Sequence, residues 1–596
     1  MLHAMARGGR LRTESLVDPR GRWAVGRVHL GVLQPEPQLA ADAAVHVVFH
    51  GDLDNEQELR KALDDMRAAP VSGAAATIAA LYRIKGSRVA SDLKGAFCAA
   101  IVDNESGDVV LITDRLGCYP LYWFQLGDRF VFASELRATL RAHPRPALNP
   151  QAVADLLKFA FPMGDKTLAA GVDLVPAGSV LTYRASTGAV TIESYATLAD
   201  LFKPSGIKQK DYFESIKAAF DQSMQRATAG DHRYGLSLSG GLDTRVMLSA
   251  LDRLQCPLST FTLGGRGCAD EVIADELSRM ARTKHRFVAL DHNYLDDLYG
   301  TVDRMVALTD GMYVSHGFTE MLALQGFEQS DCSVLLRGHA GELAKASTAW
   351  PLHTDARILA MTTKAEFIPY MMARLTHVSR GNAARDVFTE RWVQALDGAD
   401  AQTSIERAIG DADLSPADLC SYIYLKEYHR RVTVPSLEIF RNVTEVRMPF
   451  ADTDFLRAVL QGPARWRDGV RIHQSLIAAN GKKYLRVRNP NTGAPAGAGP
   501  LREAIFDKIN SALRRLNVYG YRHYHSFDGW MRNTLLELVD RVLLDRETLA
   551  RGVFRETALH ELVAQARQHG DRQGATHHDD LLQALVTIEL WQRQAA

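Results

Sequence analysis

The chain has 596 residues, enough for two or more domains that each bury a core. Lys plus Arg and Asp plus Glu both number 70, so the net charge is zero and no basic field indicates nucleic acid. The apolar runs are too short to span a bilayer, and the six cysteines show no metal-ligand spacing. We therefore expect a reduced, cytoplasmic protein that binds neither nucleic acid nor membrane.

The first 199 residues contain short apolar segments separated by turns. Strands are expected at residues 44–50, 96–102, 109–113, 121–124 and 130–133, with a hairpin at 180–192 and a helix after Asn149-Pro150. This mixture predicts a layered α+β domain, in which His29 lies at the surface and Cys98 is a buried apolar residue. Residues 200–209 are the expected linker to a second domain over 210–596.

A glycine-containing turn opens the second domain. Residues 239–244, Ser-Gly-Gly-Leu-Asp-Thr, lie between an apolar strand at 234–238 and a segment of helical periodicity. The start of a helix attracts phosphate, and glycines allow close approach of the backbone. An ordinary capping turn would explain the glycines but not Asp243, whose carboxylate suits an anion site only if it holds Mg²⁺.

The rest of the second domain continues the alternation of strands and helices. Strands at 259–263 and 333–336 join 234–238 in a predicted parallel, doubly wound sheet, which binds ligands beyond the carboxyl ends of its strands. Residues 355–440 have helical periodicity, and the charged and aromatic side chains at 424–431 are expected to be mostly solvated. A terminal helix is expected at 579–592.

The loop at 239–244 resembles the pyrophosphate-binding loop of the asparagine synthetase family, and other segments resemble that family in the same order. These segments are 50–60, 93–103, 114–122, 132–135 and 174–178 in the first domain, and 270–285, 337–342, 443–452 and 482–486 in the second. The resemblance implies a glutaminase-like domain of the N-terminal-nucleophile type. A PP-loop ATP pyrophosphatase domain with helical extensions would follow it.

The resemblance also implies ATP and Mg²⁺ as cofactors and assigns roles to individual residues. The expected nucleotide-binding residues are Ser239, Gly240, Gly241, Asp243, Thr244, Leu263 and Gly338; the expected Mg²⁺ ligands are Asp243 and Glu342; and the expected catalytic residues are Glu445 and Arg488. Glu445 would support the amine nucleophile, unless it only forms a loop salt bridge with Arg447. Arg488 stands where the family has an essential lysine, and it can hold phosphate but cannot exchange protons near neutral pH.

The first domain departs from the family's glutaminase pattern. Family glutaminases carry a cysteine directly after the initiator methionine, but this chain has Leu2, and its first cysteine is Cys98. Residues 1–9 resemble a segment that the family carries further inside the domain, so the first strand is expected to be missing unless the true start lies upstream. The resemblance places His50 at the family's asparagine beside the oxyanion-hole glycine, and Ala74 at the aspartate that holds the glutamine amine. We expect no glutamine hydrolysis.

These observations predict an ATP-dependent ligase that forms carbon–nitrogen bonds. It would adenylate a carboxylate, release pyrophosphate, and let an amine displace AMP. The amine is either free ammonia, as in asparagine synthesis, or a group on the substrate itself, as in β-lactam synthetases and lasso-peptide cyclases; we favour the second. The substrate would be a small molecule or peptide bearing a carboxylate, with a precursor peptide or a maturation enzyme as a further partner. The alternative is a non-catalytic relative that binds nucleotide or peptide, which Arg488 and Leu343 favour.

Overall fold

The computed structural model describes most of the chain. The described residues are 1–6, 10–34, 39–41, 44–143, 146–290, 297–312, 317–345, 352–378, 381–523, 530–568 and 577–595. Residues 7–9, which belong to the family-like segment 1–9, lie outside them. Among the described helices, none has the length and apolar character that a bilayer crossing requires.

The first domain contains antiparallel sheets and short helices. Its strands are β1 (Arg12–Val17), β2 (Ala24–His29), β3 (Leu39–Ala41), β4 (Val45–Leu53), β5 (Gly95–Asp103), β6 (Val109–Thr113), β7 (Tyr122–Leu126), β8 (Arg129–Ala133), β9 (Asp173–Leu174), β10 (Ser179–Arg184) and β11 (Ala189–Ser194). Its helices are α1 (Leu2–Met5), α2 (Glu56–Asp65), α3 (Ala74–Lys85), α4 (Leu136–Leu140) and α5 (Pro150–Phe159), and 3₁₀ turns lie at Gly86–Asp92 and Leu198–Phe202.

The central sheet of this domain has the strand order β11-β10-β6-β5-β4-β3. Alternate residues of β4, including Val47 and Phe49, are fully buried and join a core with α2 and α3. The other face of the sheet belongs to a larger core shared with the second domain. The predicted α+β layering is therefore confirmed, and the predicted hairpin is the antiparallel pair β10–β11.

The second domain is built on one parallel sheet. Its strands are β12 (Tyr234–Ser237), β13 (Leu258–Gly264), β14 (Lys284–Ala289), β15 (Val334–Leu336) and β16 (Glu445–Arg447). The strand order is β14-β13-β12-β15-β16, with parallel pairing throughout. The chain order reverses between β12 and β15, as in doubly wound sheets, and such a reversal opens a crevice at the carboxyl ends of the two strands.

Helices surround and extend this sheet. They are α6 (Gln209–Ala227), α7 (Leu242–Arg253), α8 (Ala269–Ala281), α9 (Leu298–Leu308), α10 (Gly317–Glu328), α11 (Ala356–Ala360), α12 (Lys364–Arg374), α13 (Glu390–Asp397), α14 (Ala401–Ile409), α15 (Pro416–Ile423), α16 (Val434–Arg441), α17 (Thr453–Leu460), α18 (Arg471–Gly481), α19 (Pro500–Arg515), α20 (Trp530–Leu543), α21 (Arg546–Ala550), α22 (Glu556–Gln568) and α23 (His577–Ala595). A π-helix spans Tyr424–Thr433, and 3₁₀ turns lie at Gly341–Ala344, Gly381–Val387, Pro449–Ala451, Ala464–Trp466 and Lys482–Leu485.

The prediction that residues 424–431 are mostly solvated is wrong. Glu427 is fully buried and Arg431 is 1% exposed, because the π-helix lies against the first domain. The carboxylate of Glu427 accepts a hydrogen bond from the Gly164 N–H at 2.7 Å, and Arg431 donates to the carbonyl oxygens of Gly164 and Lys166. Backbone groups of the first domain thus replace water around these charges.

A second correction concerns His29. This residue, expected at the surface, is 4% exposed on β2, with Nε2 3.1 Å from Oε1 of Glu14. Burial is the largest influence on the ring and lowers the pKa of His29. The cause is the alternation of β2, which turns every second side chain inward.

Candidate functional site

The Ser239–Thr244 loop has the predicted strand–turn–helix setting, between β12 and the first turn of α7. Hydrogen bonds between its first and last residues hold the two ends of the loop together. Oγ1 of Thr244 lies 3.2 Å from Oγ of Ser239, and it donates to the Ser239 carbonyl oxygen at 3.1 Å. The Gly241 N–H donates to Ser239 Oγ at 3.2 Å. The loop is therefore pre-shaped around the amino end of α7, where partial positive charge favours an anion.

A fully buried arginine fixes this loop to a distant segment. Arg245 donates from Nη2 to the carbonyl oxygens of Gly240 at 2.7 Å and Arg488 at 2.8 Å, and from Nη1 to that of Val487 at 2.7 Å. Burial lowers the pKa of Arg245 to about 10, which leaves it charged at neutral pH. Arg245 therefore joins the loop to residues 487 and 488 through hydrogen bonds.

Asp243, on the first turn of α7, is the most heavily engaged carboxylate of the site. Its Oδ2 forms an ion pair with the Lys345 ammonium, and its Oδ1 is 2.7 Å from Nε2 of His473 on α18. Burial opposes ionisation, but Lys345 and then His473 outweigh it and lower the pKa of Asp243. Asp243 is therefore a carboxylate at neutral pH. The ring of Phe450 stacks on His473 at 5.7 Å.

The loop after β15 approaches Asp243 from the opposite side of the crevice. A Cβ added to Gly341 would lie 2.3 Å from Asp243 Oδ1, and one added to Gly338 would lie 3.1 Å from the Asp243 Cβ. Glycine is thus required at 341 for this approach, which brings Glu342 toward Asp243. Burial, and then the charge of Asp243, raise the pKa of Glu342 to about 7. Tyr424 donates to Glu342 Oε2 at 3.4 Å.

The chemistry of this carboxylate pair fits Mg²⁺. Mg²⁺ prefers oxygen ligands and is commonly held by one or two carboxylates while it keeps several waters. Asp243 and Glu342 supply two such groups on facing loops, and the repulsion that raises the pKa of Glu342 is what a divalent cation would relieve. No cluster of three or more His, Cys, Asp or Glu side chains suited to a metal occurs within the described ranges.

Two further predicted nucleotide-binding positions border the same crevice. Leu263 lies at the carboxyl end of β13, beside the strand that leads into the loop. Gly338 packs against the Cβ of Asp243, as described above. Near them, Asp270 at the start of α8 accepts a hydrogen bond from the Gly240 N–H at 2.8 Å. Asp270 therefore supports the shape of the loop.

Glu445 lies at the start of β16, opposite Val334 at the start of β15, and not at the carboxyl edge of the sheet. Burial, and then the charge of Asp52, raise the pKa of Glu445 to about 7, while Arg441 and Arg27 oppose this rise. These neighbours place Glu445 at the boundary with the first domain. Its expected alternative partner, Arg447, instead pairs with Asp52.

Arg488 is held away from the carboxylate pair. Its Nη2 donates to the Gly520 carbonyl oxygen at 2.5 Å, and its guanidinium carbon lies 4.4 Å from the centre of the Tyr521 ring. Within the described residues, neither Arg488 nor Glu445 forms a hydrogen bond or ion pair with Asp243 or Glu342. Their catalytic roles stay predictions.

Sequence reasoning missed three residues of the site: Lys345, His473 and Arg245. Lys345 lies just beyond the quoted 337–342 segment, and His473 lies in a helix without a motif. Arg245 follows the loop directly, but only the fold brings it to residues 484–488. One signal could have identified Lys345 as a site residue. It lies three residues after Glu342, directly after the Gly341–Ala344 turn.

Comparisons with known proteins are consistent with this arrangement. A family model described as a glutamine amidotransferase domain matches residues 15–196, and one described as asparagine synthase matches residues 215–487. The glutamine-hydrolyzing asparagine synthetase 2 of Bacillus subtilis (strain 168) is 29% identical over 239 residues, which cover 38% of this chain and 32% of that protein. Asparagine synthetase B of Escherichia coli (strain K12) is 26% identical over 259 residues, covering 40% of this chain and 41% of that protein.

The matched segments therefore span about a third to two fifths of the length of these curated relatives. Among solved structures, a glutamine phosphoribosylpyrophosphate amidotransferase from B. subtilis, complexed with ADP and GMP, aligns with a TM-score of 0.23 and 13% identity. That alignment covers 50% of this chain and 63% of the other.

Proposed function

We infer, from the premise that this chain is a member of the asparagine synthetase-like family, that it forms amide bonds at the expense of ATP. The single observation that carries the proposal is the meeting of Asp243 and Glu342 on facing loops at the switch point of the sheet. One loop is shaped for pyrophosphate and both present carboxylates for Mg²⁺.

The first half-reaction would join the acid to AMP. A carboxylate oxygen of the substrate attacks the α-phosphorus of ATP, the bond to the bridging oxygen breaks, and pyrophosphate leaves with the electron pair. Ser239, Thr244 and the amino end of α7 would hold the leaving pyrophosphate. Mg²⁺, held by Asp243 and Glu342, would supply positive charge there.

The second half-reaction would release AMP. An amine nitrogen attacks the acyl carbon, loses one proton, and AMP leaves as the anion. Glu445 is our candidate to receive that proton, because a carboxyl whose pKa is about 7 is suited to act as a base near neutral pH. Its place at the domain boundary implies that the amine arrives from the side of the first domain.

We further propose that the first domain does not release ammonia from glutamine. His50 packs edge-on against Tyr119 with ring centroids 5.0 Å apart, and Asp52 is engaged with Arg447. Burial raises the pKa of the Cys98 thiol to about 12, so Cys98 is not a thiolate nucleophile. Ala74 is fully buried at the start of α3 and offers no carboxylate.

The amine would then belong to the substrate itself, and the product would be a lactam or macrolactam, as in the lasso-peptide cyclase and β-lactam synthetase branches of the family. The substrate would be a small molecule or a precursor peptide that carries both carboxylate and amine, delivered in the peptide case with a partner maturation enzyme. Asparagine synthesis from free ammonia is the alternative.

The test is AMP formation from ATP and Mg²⁺ in the presence of candidate acids, precursor peptides, and aspartate with ammonia. AMP formed only with an amine-bearing acid or peptide supports intramolecular amide formation. AMP formed with aspartate and ammonia supports asparagine synthesis instead. Asp243→Ala should abolish AMP formation in either case, and its persistence in that variant would contradict the proposed site.

One observation favours a second candidate, a nucleotide-binding protein without chemistry. Arg488 is committed to Gly520 and Tyr521 and contacts neither carboxylate of the site. Exchange of labelled pyrophosphate into ATP separates the two candidates, because a non-catalytic relative would bind MgATP without exchange.

A further inference from the structure

The side chain of Lys345 is a buried cation in contact with the site. Lys345 follows the Gly341–Ala344 turn, and its side chain is 15% exposed where it pairs with Asp243. Its ammonium lies against Oδ2 of Asp243, on the first turn of α7, so the positive charge stands directly beside the predicted metal ligand. No part of the proposed reaction has yet used this charge.

We propose that Lys345 is a catalytic residue, whose ammonium moves from Asp243 to the oxygens of the reacting phosphate and pyrophosphate when nucleotide binds. The proposal rests on the proposed function for the identity of those oxygens. It adds a residue that neither the motif segments nor the resemblance assigns.

The first step of the argument is competition for Asp243. The ammonium of Lys345 and a bound Mg²⁺ would both require the carboxylate of Asp243, and two cations on one carboxylate repel each other. Lys345 must therefore leave Asp243, wholly or in part, when the pair carries a metal. His473 contacts the other carboxylate oxygen of Asp243, Oδ1, so the imidazole can stay in place when Lys345 leaves.

The second step is where the ammonium can go. The ammonium already lies against Asp243, which belongs to the Ser239–Thr244 loop and to the first turn of α7. The flexible four-carbon stem of a lysine allows its ammonium to turn through several ångströms about a fixed backbone. From the end of the Gly341–Ala344 turn, the reachable region is therefore the crevice between the two loops, where the phosphates would lie.

The third step is the chemistry. As the bond between the α-phosphorus and the bridging oxygen breaks, negative charge accumulates on pyrophosphate, and a buried ammonium that donates hydrogen bonds to it stabilises that charge. Lys345 keeps all its protons throughout, so no proton transfer is involved. Arg488 does not contact Asp243 or Glu342 in the observed arrangement, because its Nη2 donates to Gly520 and its guanidinium lies over the Tyr521 ring.

The test compares two binding measurements on Lys345→Met by titration calorimetry, one with MgCl₂ and one with magnesium pyrophosphate. Removal of the competing ammonium should tighten the binding of Mg²⁺ alone about threefold, whereas loss of the phosphate contact should weaken magnesium pyrophosphate about tenfold. An ion pair that only supports the fold would weaken both. Lys345→Arg, which keeps the charge, should restore most of the pyrophosphate affinity.

Lys483→Met is the matched control, because Lys483 pairs with Asp252 at the other end of α7 at 2.8 Å. It should leave both affinities unchanged. If Lys345→Met does not fold, Lys345→Gln, which removes the charge but keeps a polar side chain, should show the same opposite shifts. Equal shifts in both affinities, or none, would overturn the role of Lys345.

The two proposals fail in different ways. If wild-type protein forms no AMP with any acid but the two affinities shift in opposite directions, the contact of Lys345 with the pyrophosphate oxygens stands, and amide formation with a catalytic Lys345 is wrong. If wild-type protein forms AMP and Lys345→Met forms it equally fast, Lys345 has no catalytic role. We expect the rate of AMP formation in Lys345→Met to fall about 100-fold.

Discussion

Asp52 and Arg447 join the two domains through a two-point ion pair. Nε of Arg447 lies 2.8 Å from Oδ2 of Asp52, and its Nη2 lies 3.0 Å from Oδ1. The Nη1 atom also donates to the carbonyl oxygens of Ala227 and Ala229, both at 3.1 Å. The strand that begins with Glu445 is thus attached at its end to β4 of the first domain. This attachment has a consequence for stability.

Asp52→Ala should lower the free energy of unfolding by about 2 kcal/mol, because it leaves the guanidinium of a side chain that is 13% exposed without its carboxylate. The midpoint of thermal unfolding measures this change. Asp275→Ala is the control, since its pair with Arg279 is exposed and should contribute less than about 0.5 kcal/mol. Equal effects of the two substitutions would refute a structural role for the interdomain pair.

Asp243→Asn should reduce ATP-dependent AMP formation at least about 100-fold, because a neutral amide holds a divalent cation far more weakly than a carboxylate does. The measurement is the rate of AMP release at saturating MgATP. Asp252→Asn, on the same helix but paired with Lys483, should retain normal activity. Comparable losses in both variants would indicate damage to α7 and not to the site.

Gly341→Ala should disrupt the approach of the two loops, because the new Cβ would lie 2.3 Å from Asp243 Oδ1. We expect a loss of stability of about 1–3 kcal/mol from overpacking, together with weaker Mg²⁺ binding. Gly398→Ala is the control, since the nearest atom to its Cβ would be 3.6 Å away. Unchanged Mg²⁺ binding in Gly341→Ala would show that the loops need not meet.

Glu445→Gln should change the dependence of stability on pH. The folded protein holds the Glu445 proton up to a pKa of about 7, whereas the unfolded chain releases it near the ordinary value of 4.5. Ionisation of this buried carboxyl therefore costs stability as pH rises from about 4.5 through about 7.

The variant lacks that cost, so it should match wild type at pH 4 and exceed it by about 3 kcal/mol at pH 8. Chemical unfolding at several pH values measures the difference. Glu214→Gln, at a carboxyl that is 63% exposed, should show no such divergence. A constant difference between Glu445→Gln and wild type across this range would contradict a perturbed Glu445.

The sequence was sufficient to predict the parallel sheet and the strand–turn–helix setting of the Ser239–Thr244 loop, because both depend on local patterns. Residues 234–238 are apolar and extended, and the two glycines and the helical periodicity follow at once. The predicted metal ligands, Asp243 and Glu342, meet because β12 and β15 are neighbours.

Contacts between distant segments could not be predicted in this way. His473 reaches Asp243 across 230 positions, and Arg447 reaches Asp52 across 395. The burial of Glu427 and Arg431 was missed for a related reason: their composition is that of a solvated helix, and only the docking of the first domain removes the water. Local periodicity carries no information about such docking.

The buried charges of the π-helix set a limit on how this protein can be divided. Cutting the chain near residue 209 would remove Gly164 and Lys166, whose backbone groups solvate Glu427 and Arg431. The separated second domain would then expose the charged π-helix and the apolar surface around it to water. The first domain therefore has a structural role in this chain that does not depend on any chemistry of its own.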